Sequence, residues 1–323
     1  MITRNSFSRV KGVAKYRINP RNSPTKFDSL AKPSGGIIQK LNLKKSAKNG
    51  LLSSYSQTKS FIKNRGGGRN KIDSKKILRG IVTSTGEEKT ANLMRSVGNE
   101  KAFFNLIENL YETNYSKSGL SEARIGELIG GLVKGMGVNS VQKFVLNSNA
   151  KATSYLIKTI GVNNLVKLEK RIGVNELTKL INLRSAKPLS ELIIGAGLGR
   201  TIQLIQNVGS VSAVERTLSY FVNFPLIDSK STQISNNLIR TINKAGSRKV
   251  GELIKFADNN PRKTIRVGAF INYAGWELAS ELITKTNPKE LALLMKEDSP
   301  FGVAMKIRKK GVNEFLKSLK QIN

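Results

Sequence analysis

The sequence predicts an all-α protein: an array of short stacked helices built from 12-residue units, solenoid-like, followed by a C-terminal helical region and preceded by a largely disordered basic arm. Three observations predict it. Apolar residues keep a gapless 12-residue register from Gly137 to Val208, glycine or asparagine recurs at the head of those units, and positive charge is concentrated before Gly80.

Cut every 12 residues from Gly137, the chain reads GVNSVQKFVLNS, NAKATSYLIKTI, GVNNLVKLEKRI, GVNELTKLINLR, SAKPLSELIIGA and GLGRTIQLIQNV. The eighth column is Phe144, Leu156, Leu168, Leu180, Leu192 and Leu204, and the second is Val138, Ala150, Val162, Val174, Ala186 and Leu198. One continuous helix cannot carry this pattern. Twelve residues at about 100° each leave a mismatch of roughly 120° per unit, which would rotate the apolar face away from any fixed partner.

The helix must therefore break once per unit. Gly137, Gly161, Gly173 and Gly197 suit a left-handed C′ position, Asn139, Asn163 and Asn175 suit an N-cap, and Pro188 falls at the expected N1 position. Each unit is then a helix of about nine residues, roughly 13 Å long. Such a helix is unstable alone, so stacking on its neighbours must hold it. Short turns predict antiparallel neighbours and a structural repeat of about 24 residues.

The remaining elements are less regular. Phe103, Leu106, Ile107 and Leu110 lie at helical spacing, so folding is expected to begin near Asn99, with the array spanning 99–220. Ser121 is the expected cap of a helix running to about Lys134. The stretch 221–232 reads as a connection, and 233–323 as the C-terminal helical region. Its helices are expected around Val250–Phe256, Ile265–Tyr273, Trp276–Thr284 and Pro288–Met295, with Asn260-Pro261, Asn287-Pro288 and Ser299-Pro300 as cap-then-proline starts. The closing GVNEFLKSLKQI repeats the unit grammar.

Residues 1–80 hold 20 Lys or Arg against Asp28 and Asp73. They are rich in Ser, Asn and Gly, carry no sustained apolar period, and read as a basic low-complexity arm. The whole chain has 55 Lys or Arg and 22 Asp or Glu, a formal charge of +33. That is far beyond what solubility requires and implies a polyanionic partner.

Chemistry is bounded from the other side. The chain has no Cys and no His, which removes thiolate nucleophiles, imidazole bases and the usual zinc ligands. No catalytic residue, cofactor or metal is expected. The paired carboxylates Glu87-Glu88, Glu122-Glu127 and Glu277-Glu281 read as solvated helix faces, and Trp276, the single tryptophan, as packing.

The segment GAGLGRT, which follows an Ile pair, has the look of a dinucleotide loop, with Glu215 placed as a ribose acid. It lacks the third glycine, because Arg200 stands there, and it lies inside the helical register. No run is long and apolar enough to span a membrane. The N-terminus, Arg- and Ser-rich and free of acids until Asp28, also has the makeup of a mitochondrial presequence.

Two groups of cations are the expected nucleic-acid contacts. Arg65, Arg69, Lys71, Lys75, Lys76 and Arg79 surround the three glycines of NRGGGRNK, and Lys143, Lys167, Lys170, Arg171, Lys179 and Arg200 occupy the polar seventh column and the unit ends. The expectation is a non-enzymatic protein that binds or packages nucleic acid with little sequence specificity. The alternatives are a structural or assembly protein, of a virion, injection device or scaffold, gripping an acidic protein partner, and a secreted membrane-active effector drawn to anionic surfaces through segments such as IGELIGGLVKGMGV. A soluble, intracellular or virion-associated chain is expected.

Overall fold

The structure is a computed structural model and describes residues 72–97, 101–111, 120–223, 232–257 and 266–320. Among them are seventeen helices and no strand. In chain order they are α1 (Ser74–Thr85), α2 (Glu87–Val97), α3 (Lys101–Tyr111), α4 (Glu122–Met136), α5 (Val138–Asn147), α6 (Ala150–Ile172), α7 (Val174–Leu180), α8 (Ala186–Ala196) and α9 (Leu198–Val208). Then follow α10 (Val211–Asn223), α11 (Thr232–Ala245), α12 (Ser247–Ala257), α13 (Arg266–Ala274), α14 (Trp276–Lys285), α15 (Pro288–Glu297), α16 (Ser299–Lys310) and α17 (Val312–Lys320). Gly161 (φ 79, ψ 161) breaks α6 into two halves, 150–160 and 162–172.

The register expected from the sequence is the register of the core. All six eighth-column residues, Phe144 to Leu204, are fully buried, and so are the fifth-column residues Val141, Thr153, Leu165, Leu177, Leu189 and Thr201. Burying each such leucine contributes about 1.5–3 kcal/mol. The connection between helices differs from the expectation, however. Asn139, Asn163 and Asn175 are not caps; they lie inside helices that start one residue earlier.

One glycine forms the entire joint. Gly173 donates its N–H to the Glu169 carbonyl (2.7 Å), closing the last turn of α6, while its own carbonyl accepts from the N–H of Leu177 (3.0 Å), opening α7. Gly197 does the same between Ile193 (3.1 Å) and Thr201 (3.1 Å). Both of its hydrogen bonds are therefore helical, yet they belong to different helices. The bend is made at φ 91, ψ 149 for Gly197 and φ 83, ψ 154 for Gly173, an extended region at positive φ that is essentially closed to residues with a Cβ. The left-handed helical conformation expected for these glycines occurs at Gly209 (φ 69, ψ 0). With only one residue spent on the joint, the helices reach 10 or 11 residues rather than nine.

The repeat is also longer than expected. The most extensive contacts are between each helix and the third helix after it, once the two halves of α6 are counted separately, with further contacts between neighbours in sequence that match or exceed them at a few places, as between α16 and α17. Three stacks result: α1, α4, the second half of α6, α9, α12 and α15; then α2, α5, α7, α10, α13 and α16; then α3, the first half of α6, α8, α11, α14 and α17. A two-helix hairpin would have returned the chain to its starting stack every 24 residues. The single-glycine joint does not reverse the chain, so three 12-residue units are needed to return it, and across 137–208 the layer is 36 residues. Where longer connections intervene it is longer, as between Gly80 and Gly126 or Gly195 and Asn243. This packing order is consistent with a solenoid.

Small residues set the spacing between layers. Gly126 and Gly130 of α4 face Gly80 and Ser84 of α1, where a Cβ on Gly80 would lie 2.6 Å from the Ala123 carbonyl oxygen. On its other side α4 turns Gly131 and Gly135 to Val162 and Val166 of α6, with a Cβ on Gly131 lying 3.2 Å from Val162 Cγ1. Four of the five glycines of IGELIGGLVKGMGV are thus consumed by helix packing on two sides and the fifth, Gly137, by a joint between helices, which supplies a structural reason for the feature that suggested a membrane effector.

The folded region begins before the expected boundaries at Gly80 and Asn99. Asp73 caps α1, its carboxylate accepting from the Lys75 N–H at 3.0 Å, and Ile77 and Ile81 are buried. Ser121 caps α4 as expected, accepting from the Arg124 N–H. Asn287 likewise caps α15 ahead of Pro288, accepting from the Lys289 N–H at 2.9 Å. Pro188 sits at the third residue of α8 rather than the first, still within the turn whose N–H groups lack helical partners. Asp298, not Ser299, is the residue before α16; Ser299 is its first residue at φ 65 and accepts from the Gly302 N–H at 3.0 Å. Asn260-Pro261 and most of the connection, 224–231, lie outside the described residues.

Candidate nucleic-acid interface

The apparent dinucleotide loop is a helix joint. Ile193, Ile194 and Gly195 belong to α8, Gly197 is the joint, and Gly199 and Arg200 are the second and third residues of α9. Gly199 is therefore helical rather than a cap. Glu215 is engaged elsewhere: its Oε1 accepts from Asn182 Nδ2 (3.0 Å) and from the Ser219 hydroxyl (2.7 Å), bracing the turn between α7 and α8.

The paired carboxylates are spent on surface contacts or lie in a first turn. Glu127 pairs with Arg124 (2.8 Å), Glu281 pairs with Lys285 (2.6 Å), and Glu87 and Glu88 lie in the first turn of α2, where their charge suits the helix dipole. No group of acidic residues suited to a metal ion occurs among the described residues, and no described helix is long and apolar enough to cross a membrane.

Of the twelve cations expected at a nucleic-acid interface, Arg65, Arg69 and Lys71 lie outside the described residues. Lys75, Lys76 and Arg79 are exposed on α1, with Lys76 Nζ 4.0 Å from the Asp73 carboxylate. The seventh-column lysines are all exposed but do not share one stack. Lys143 on α5 and Lys179 on α7 sit 36 residues apart on helices that pack together, whereas Lys167 belongs to the second half of α6, in another stack. The 36-residue layer thus divides the single ridge that a 12-residue reading suggests. Lys179 is also paired with Glu176 at 2.7 Å. Lys170 and Arg171 are exposed in the last turn of α6, where cations are favoured by the helix dipole.

Arg200 is drawn into a cluster the sequence did not signal. Its Nη1 donates to Asn243 Oδ1 on α11 (2.5 Å), and Asn243 Nδ2 donates to the Gly195 carbonyl (3.3 Å). Arg240 and Lys244 lie on the same helix as Asn243, three residues before it and one after, so all three share one face. Trp276 of α14 lies beneath that face. The Arg240 guanidinium is 5.4 Å and the Lys244 ammonium 5.5 Å from the centre of its ring. Arg200, Arg240 and Lys244 are exposed, Trp276 is half-buried, and none of the three cations makes an ion pair among the described residues. No periodic signal could have found this cluster: Arg240 and Trp276 occupy different positions on helices that begin 44 residues apart, at Thr232 and Trp276, outside the gapless 12-residue register.

The other aromatic contacts are packing. Tyr220 is buried where α10 meets Gly268 of α13. Burial, with a smaller contribution from Tyr273, pushes its phenol from 10.0 up to about 12.

Against protein-family models, curated proteins and solved structures, the chain finds no match.

Proposed function

We propose that this protein binds nucleic acid through its phosphates, with low sequence specificity and without catalysis. The observation that carries this reading is how unevenly charge is distributed along the chain. Residues 1–71 contain 17 Lys or Arg and a single acid, Asp28, and they precede the helix that starts the described array. A segment of that composition neutralises phosphates and gains from released counterions. The array then supplies further exposed cations at fixed spacings.

Binding of a labelled oligonucleotide across a salt series tests the reading. The logarithm of affinity should fall linearly with the logarithm of salt concentration, and steeply. An affinity that hardly changes between low and moderate salt, or no binding at low salt, refutes it. Purified protein should also lose co-purifying nucleic acid only when nuclease is combined with high salt.

A second reading rests on a different observation. Leu293 of α15 and Phe301 and Met305 of α16 are exposed on the last helices of two stacks, and an array end ordinarily carries a polar face. That end suits a protein contact, as an assembly component would need. One stoichiometric protein retained through nuclease treatment would favour this reading over the first.

A further inference from the structure

We propose that the α11 face formed by Arg240, Asn243 and Lys244, with Arg200 beside it and Trp276 beneath, is the array's own phosphate-binding site for a nucleic-acid strand. The inference rests on the function proposed above and adds to it a place that does not depend on the N-terminal segment.

Three physical features set this face apart from the other exposed cations. The first is that its charges are held but not neutralised. Several other basic heads are fixed by a carboxylate, as Arg124 is by Glu127, Arg248 by Glu252 (3.0 Å) and Lys306 by Asp298 (2.7 Å), which leaves little net charge for a ligand. Exposed cations such as Lys143 and Lys167 have no ion pair among the described residues to hold them. Arg240 and Lys244 are instead fixed by the Trp276 ring, whose quadrupole attracts a cation without cancelling it. Glu277, the next residue along, is exposed and makes no ion pair with either.

The second feature is convergence. Arg200 comes from the first turn of α9 and is tied to α11 through Asn243, so three positive charges from two helices meet on one face. The third is unused capacity. A guanidinium has five N–H donors, and Arg200 spends one on Asn243, leaving the fork that grips a phosphate. Ordering long side chains is a large part of the cost of binding, and this face has met it in advance.

Trp276 is the chain's single tryptophan, so its emission reports on this face and no other. The full-length chain is titrated with an end-labelled single-stranded oligothymidylate while label anisotropy and tryptophan emission are followed together. A parallel titration uses inorganic phosphate alone. Emission should change saturably and in step with anisotropy for the oligonucleotide, and only weakly for free phosphate. A full response to phosphate at equal concentration would make the ligand a free anion and overturn the strand assignment.

The R200Q/R240Q/K244Q variant should lose the emission change and about 2 units of salt slope, at about 0.7 per phosphate contact. A control of equal charge change away from the face, K289Q/K296Q/K317Q, should keep the emission change. W276L, which removes no charge, should bind several-fold more weakly by anisotropy. Full anisotropy with unchanged emission, or equal losses in the two triple variants, overturns the site and leaves the general function standing. No anisotropy change at low salt overturns both.

Discussion

Gly197 and Gly199 stand two residues apart in GAGLG, and substituting each by alanine should move stability in opposite directions. At Gly197 an added Cβ would meet nothing within 4 Å, so no clash contributes and the whole cost is backbone strain at φ 91. Holding a non-glycine residue there costs about 1–3 kcal/mol, offset by roughly 0.4–1 kcal/mol from the stiffer unfolded chain. A net loss of about 1–2 kcal/mol is expected. Gly199 also has open space around a Cβ, but it is helical, and alanine should gain about 0.5–1 kcal/mol there. Urea unfolding followed by circular dichroism reads both as shifts of midpoint. Gly197→Ala should lower the midpoint and Gly199→Ala raise it, with the slope unchanged. If the two shift it alike, or Gly197→Ala is neutral, the single-residue joint is wrong.

Other consequences follow from the same packing. Gly126→Ala should force α1 off α4, since the new Cβ would fall on the Ile77 carbonyl oxygen; the loss is bounded by burial of Ile77 and Ile81 at about 3–6 kcal/mol. Hydrogen exchange should show protection lost over 74–85 and kept beyond α4, and protection retained throughout would contradict the crossing. Tyr220 has its folded value raised, so its contribution is complete below the unfolded value of 10.0 and is lost as pH rises toward about 12. Stability should decline by about 3 kcal/mol across that window, while Tyr220→Phe flattens the decline, as alkaline unfolding will show. Asn287→Ala should cost about 0.5–2 kcal/mol by removing the α15 cap; a thermal midpoint equal to that of the parent would count against it.

Much of the array was legible because helix periodicity and helix ends are local properties. The leucines of the eighth column had to face a core, and the glycines had to interrupt the helix, whatever lay around them. What no local rule supplied was the angle of each interruption. Gly173 at ψ 154 and a left-handed glycine at ψ near zero look identical in sequence, yet the first builds a three-helix layer while a reversal would have built a two-helix one. The start of the fold was missed for a related reason. Gly80 in α1 resembles linker composition until Gly126 of α4 is placed against it.

The candidate site was less legible than the fold. Single-sequence patterning ranks cations by their own helix face, which puts Lys143, Lys167 and Lys179 in one column. Their membership of different stacks depends on the layer length. Arg240 and Trp276 lie on helices that pack together outside the gapless register, and a contact of that kind follows from no local pattern.

The one-residue joint makes this chain a counted length. A loop can absorb an extra residue, but Gly197 has hydrogen bonds committed on both sides and no slack to give. Inserting one residue into α9 would turn everything after it by about 100° and swing Leu204 and Val208 out of the core. Across the single-glycine joints of 137–208 length can change cheaply only by whole layers, three helices at a time, whereas the longer connections elsewhere leave room for extra residues. Between Gly137 and Val208 the chain behaves as a ruler graduated in 36-residue marks, so that Lys179 sits one graduation above Lys143.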